Sequence, residues 1–162
     1  MSNLDNSLTD WRNRHVNRDR KYEHLVKLLV EEKETAIFDL KKELMIFAAM
    51  IGYNFNNRKP LSGDKIPITL LTYSNSEDDG FIYLLALMDK RDATCLKEIN
   101  LQDSIKIFEE YCNGGLEIID NWFNTPQGRA DLNKVDTLQS KLLEQLETNL
   151  NMDTNLDLDV EF

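Results

Sequence analysis

Histidine occurs only at His15 and His24. Histidine acts as a general base only where an acid and a nucleophile converge on it. No serine, histidine and acid fall into such a pattern here. His24 lies beside Glu23 in a helical stretch and reads as a surface residue. The carboxylates of SEDDG (Glu77, Asp78, Asp79) lack the spacing and the further oxygen ligands of a calcium loop. Glu109 and Glu110 read as a solvated helix face. Cys95 and Cys112 have no zinc spacing, sit beside Leu96 and Tyr111, and read as small buried hydrophobes without a disulfide. The expectation is therefore no catalytic residue, no metal, no cofactor and no enzymatic activity.

The basic residues carry a different chemistry. The stretch WRNRHVNRDRK holds Arg12, Arg14, Arg18, Arg20 and Lys21, and NNRKP holds Arg58 and Lys59. Two readings stand. They are charge on a solvated arm and loop, or they contact a phosphate backbone or an acidic partner. For Arg58 the local alternative is closure onto an acid such as Asp64. The whole chain carries −10, which argues against a free-standing nucleic-acid binder. Residues 131–162 hold eight acids against two lysines. Ends of opposite sign suit docking on another protein or head-to-tail packing of subunits.

These residues need elements to position them. The 162 residues suit a single, mainly α domain of about five helices. Residues 1–18 are expected to form a flexible basic arm, 19–148 the helical domain and 149–162 an acidic tail. Tyr22, Leu25, Val26, Leu29 and Val30 recur at helical spacing. A second helix from about Leu40 to Tyr53 is apolar almost all round and belongs in the centre, with Phe47, Ala48, Met50 and Ile51 buried. Pro60 and Gly63 punctuate the loop after it. IPITLLTYS, near residues 67–73, is one short strand or an extended segment, with no convincing partner strand nearby. Further helices are predicted over 80–89, 103–124 and 131–148. LMIFAAMIGY is too short to cross a bilayer. The polar, acidic opening MSNLDNSLTDW reads as neither a signal nor a transit peptide, so the expected compartment is the cytoplasm.

Within IKIFEEYCNGGLEIIDNWF, the residues Ile105, Phe108, Cys112, Gly115, Ile119 and Trp122 form a stripe. Gly115 thus faces the core, although glycine costs about 1 kcal/mol against alanine in a helix. The expected use is close approach of the central helix at Ala48 and Ala49. A tight turn at Asn113-Gly114 between two helices is the alternative. A phosphate cradle is not implied, since no strand leads into these glycines.

Three segments together carry a resemblance: ELMIFAAMIGYNFNNRKPL, FIYLLALMDKRDATCL and IFEEYCNGGLEIIDNWF. The first holds Phe47, Ala48, Ala49, Gly52, Arg58, Pro60 and Leu61; the last holds Glu110, Tyr111, Asn113, Gly114, Gly115, Leu116 and Glu117. In this order they resemble the DNA phosphorothioation-associated protein 4 family over about residues 19–125. The resemblance implies a small accessory protein of bacterial anti-phage defence, in systems that place sulfur in the DNA backbone and restrict unmodified DNA. It implies no defined activity. The expectation is a non-catalytic adaptor bound to a larger ATPase or nuclease subunit, touching DNA indirectly and no membrane, with self-association open. The alternative is a small DNA-contacting regulatory module that uses the basic arm and Arg58-Lys59.

Overall fold

The computed structural model describes residues 11–34, 36–124 and 133–156. Expectations for residues 1–10, for the first residues of the helix over 131–148, and for the tail from 157 onward lie outside them. The chain divides into two compact units, residues 1–120 and 121–162.

The first unit opens with a 3-10 turn, Trp11–Asn13, and a strand β1, His15–Asp19. A 3-10 turn (Arg20–Tyr22) leads into α1 (Glu23–Val26), which widens into a π-helical turn at Lys27–Glu31. Beyond that turn the Leu29 carbonyl accepts from the backbone N–H groups of Ile37 and Phe38. Then follow α2 (Lys41–Asn54), β2 (Lys65–Thr69), α3 (Leu70–Ser74) and α4 (Gly80–Lys90). Two 3-10 turns, Ala93–Leu96 and Glu98–Asn100, precede α5 (Leu101–Asn124). The second unit holds the end of α5 and α6 (Lys134–Leu156). The fold is mainly α, as the periodicity implies, and the described residues add one small two-stranded sheet.

The flexible arm is corrected over residues 15–18. β1 pairs antiparallel with β2, from His15 opposite Thr69 to Asp19 opposite Lys65. Val16 and Asp19 are fully buried and Arg18 nearly so. The partner strand escapes the sequence because HVNRD has one apolar residue and no alternation to mark it. Asp19 replaces apolar packing with polar clamping: its carboxylate accepts from the backbone N–H groups of Ser62 and Gly63. The strand segment near 67–73 is also adjusted, to a strand over 65–69 followed by a helical turn. α6 runs on to Leu156, through the first residues of the stretch read as an acidic tail.

α2 starts with half a capping box. The Glu43 carboxylate accepts from the backbone N–H groups of Asp39 and Leu40, while Leu40 has no side-chain oxygen to return the bond. Its buried side holds Leu44, Met45, Ala48, Ala49 and Ile51; Phe47 and Met50 are only half-buried. Phe47 rests on Phe38, ring centres 5.4 Å apart. The helix ends on Asn56 in the left-handed region, φ 51°, with Asn57 N–H bonded to the Gly52 carbonyl. That is a Schellman ending with asparagine in the glycine position.

α5 runs unbroken through both glycines. A Cβ on Gly115 would land on the Ala48 carbonyl and lie 3.0 Å from the Gly52 nitrogen. A Cβ on Gly52 would meet the Tyr111 carbonyl in return. The two backbones therefore touch, and the expected neighbour, Ala48, is the observed one. Gly114 serves a second neighbour: a Cβ there would strike the Asn57 carbonyl in the loop after α2.

Candidate functional site

The glycine crossing fixes α2 on α5, and the Schellman ending then lays residues 55–60 along α5. The loop is bound in place by polar contacts at each residue. Asn57 donates to the Gly114 carbonyl at 2.9 Å and to Glu117. Lys59 N–H donates to the Glu110 carbonyl, and Asn113 donates to the carbonyls of Lys59 and Pro60.

Arg58 sits at the centre of this network. Its Nε donates to Glu110 at 2.6 Å and its Nη1 to Asp89 at 2.9 Å. The guanidinium lies 5.7 Å from the centre of the Tyr111 ring. Burial disfavours the Arg58 charge, but Glu110 and Asp89 more than offset it, so the pKa rises. The Tyr111 hydroxyl donates to Asp89 at 2.6 Å. Burial first, and the Asp89 bond second, push its pKa up to about 12. Lys59 pairs with Glu117 at 2.5 Å; that pair, with Asn57 beside it, lowers the Glu117 pKa. Arg58 thus closes onto acids of α4 and α5, and Asp64 instead lies 3.9 Å from Arg20.

Beside the network is an open cleft of about 480 Å³, lined in part by Asn17, Lys65, Lys106, Glu109 and Glu110. Glu109 is 8% exposed. One oxygen accepts from the Asn17 backbone N–H at 2.6 Å and from its side-chain amide at 2.9 Å. Glu109 therefore caps the open edge of β1. Burial raises its pKa, against the pull of Asn17 and Lys65.

The other basic candidates scatter. Arg12 is exposed and stacks on Trp11 at 5.2 Å. Arg14 is half-buried, and its carbonyl accepts from Leu70 N–H. Arg18 is 2% exposed, with Nη2 2.6 Å from Glu23. Its Nε and Nη1 find no hydrogen-bond acceptor among the described residues. Arg20 is exposed, and Lys21 covers the Tyr22 ring. Each of these cations has its own neighbours: Trp11 for Arg12, Glu23 for Arg18 and Asp64 for Arg20. Of the packing candidates, Ala48 and Gly115 form the crossing, while Phe47 and Trp122 are half-buried.

His24 bridges the Lys21 carbonyl and the Asp120 carboxylate, at 3.0 and 2.7 Å. Asp78 pairs with the buried Lys42 at 2.5 Å, so part of the SEDDG cluster serves the packing of α2. Both cysteines are buried, and burial raises the Cys112 thiol pKa. Among the described residues no three His, Cys, Asp or Glu side chains gather as metal ligands. No described helix is long and apolar enough to cross a membrane.

Sequence reasoning missed Asp89 and Asn17, and it read Glu109 as a solvated residue. The available signal lay in α5: Glu109 follows Ile105 by one helical turn, beside the buried stripe, so a solvated position was the poorer reading.

No curated protein and no solved structure matches this chain. The family model of DNA sulphur modification system-associated protein 4 matches residues 15–159, which takes in β1 and α6 as well as the three motif segments. The glycine crossing, the pinned Arg58 loop and the helix that follows them thus lie within one family match, and the chain belongs to the DNA sulphur modification system-associated protein 4 family.

Proposed function

We propose that the chain is a non-catalytic accessory subunit of a cytoplasmic anti-phage DNA-defence assembly linked to sulphur modification. It acts by contact with a larger ATPase or nuclease subunit and meets DNA through that complex. The observation that carries this reading is the family match, which spans both compact units and names a protein associated with such systems. The internal use of the charged groups supports it. Glu109 caps a strand edge, Glu110 and Asp89 hold Arg58, and Glu117 holds Lys59. The same fact weighs against direct DNA contact, because Arg18, Arg58 and Lys59 already have carboxylate partners.

The test is affinity purification of the tagged full chain from its host. Subunits of a sulphur-modification system should co-purify, and the chain alone should turn over neither ATP nor DNA. DNA cleavage or ATP hydrolysis by the chain alone, abolished by Glu109→Gln, would overturn the reading.

A further inference from the structure

α4 is apolar on both of its sides. Ile82, Leu85 and Ala86 enter the core. At about 100° per residue, the opposite side carries Tyr83, Leu87, Leu84, Met88 and Phe81. Phe81 is 39% and Leu84 47% exposed, and the other three are half-buried. No charged residue stands on that side before Lys90. A helix apolar all round is stable where both sides are covered. Here the core covers one.

At Tyr83 this strip reaches a cleft of about 330 Å³, lined by Trp11, Asp79, Tyr83, Leu96, Glu98 and Leu101. Leu96 is 47% exposed and Ile99, on the neighbouring 3-10 turn, 84%. The cleft joins two aromatic rings to two carboxylates. Their field is felt at the Tyr83 hydroxyl, whose pKa is raised by burial first and by Asp79 and Glu98 next, with Arg14 opposing. Arg12 stacks on Trp11 outside the cleft lining. Rings flanked by carboxylates favour a lysine or arginine head with an apolar stem.

We propose that the outward side of α4 and the Trp11–Tyr83 cleft form one docking surface for a basic amphipathic helix of a partner subunit. Its lysine or arginine enters the cleft between the rings, near Asp79 and Glu98. Its apolar side covers Phe81, Leu84 and Met88. A second copy fits less well, because it would bring its own Asp79 and Glu98 and a further net charge of −10. The inference rests on the adaptor reading only in placing that partner within the same complex.

The test uses the full chain with Trp122→Phe, so that Trp11 is the only indole. It is titrated with a synthetic helical peptide bearing leucines at i, i+3, i+4 and i+7 and flanking lysines. Trp11 fluorescence should change saturably. Glutamates in place of the lysines should weaken binding about tenfold, as should Asp79→Lys with Glu98→Lys in the chain. Leu84→Glu should abolish binding with an unchanged circular dichroism spectrum. Absence of binding, or affinity indifferent to the peptide's charge, overturns the proposal. So does a dimer in sedimentation that Leu84→Glu dissociates, since that gives the surface to a second copy. Co-purification from the host separates the two readings. If Leu84→Glu retains the subunits that the unmodified chain retains, the docking surface falls and the adaptor reading stands. If the unmodified chain retains none, the adaptor reading falls and the peptide still decides the surface.

Discussion

Two faces of the first unit handle their residues in opposite ways. Along α5, glycines bring backbones into contact, and every charge on the loop after α2 finds a partner within the chain. Along α4, the outward side has no charge before Lys90, and Phe81 and Leu84 are exposed. Arg58 and Lys59, for which a partner contact and a local pairing both stood open, are ion-paired within the chain. The plain apolar face is the one that keeps large side chains open to solvent. Charged residues in a loop therefore mark an interface only after their local partners have been counted.

The largest effect should come from the crossing itself. Gly115→Ala adds the smallest possible side chain, yet its Cβ meets the Ala48 backbone rather than a movable side chain. A loss of about 3 kcal/mol is expected in urea unfolding, at the upper end for overpacking. An unchanged midpoint would mean that α2 and α5 are not in backbone contact.

Next is the Arg58 network. Arg58→Glu sets a third carboxylate beside Glu110 and Asp89, and the chain should lose about 1–2 kcal/mol, discounted for the partial exposure of Arg58. Reversing Lys59 as well should add little, because its pair with Glu117 is more open to water. A double reversal that melts like the unmodified chain and fails only in assembly would return the loop to the interface.

Glu109 sharpens the contrast through pH. Its folded pKa is raised above the ordinary 4.5, so the folded state holds the proton more tightly. Its contribution is therefore present at low pH and lost as pH rises through the raised value. Asp78 and Glu117 run the other way: their pKa values are lowered, and their contribution fades as pH falls through those values. Glu109→Gln keeps an oxygen for Asn17 and removes the buried charge. Its stability at pH 7 should be equal or higher by up to about 1 kcal/mol, and its gain over the unmodified chain should shrink toward pH 4. A destabilised Glu109→Gln at neutral pH would show that the ionised carboxylate is needed at the strand edge.

The smallest effect belongs to the other face. Leu84→Glu should change stability by less than about 0.5 kcal/mol, since Leu84 is half-exposed.

The sequence and the structure agree where periodicity carries the signal. The helices of α2, α4 and α5, and the meeting of Gly115 with Ala48, follow from spacing and side-chain size. β1 was not legible, because it is held by pairing with a distant strand and by clamping of Asp19 rather than by an alternating pattern. Gly52 is part of the crossing, which spacing alone did not indicate, while Asn56 ends the helix in the left-handed region. Arg58 was legible as a special residue. Its partners were not, since Glu110 and Asp89 are brought to it only by the packing of α4 and α5. The α4 helix was legible, but only the fold shows which of its apolar residues the core leaves exposed.

Hydroxyl-radical footprinting of the purified assembly, read by mass spectrometry, tests the contrast most directly. Trp11, Phe81, Tyr83 and Met88 react readily when exposed, and Arg58, Lys59 and Tyr53 report on the loop face. Phe81, Tyr83 and Met88 should become protected in the assembly while the loop residues react as they do in the chain alone. Protection confined to residues 53–60, with α4 as reactive as before, would contradict it.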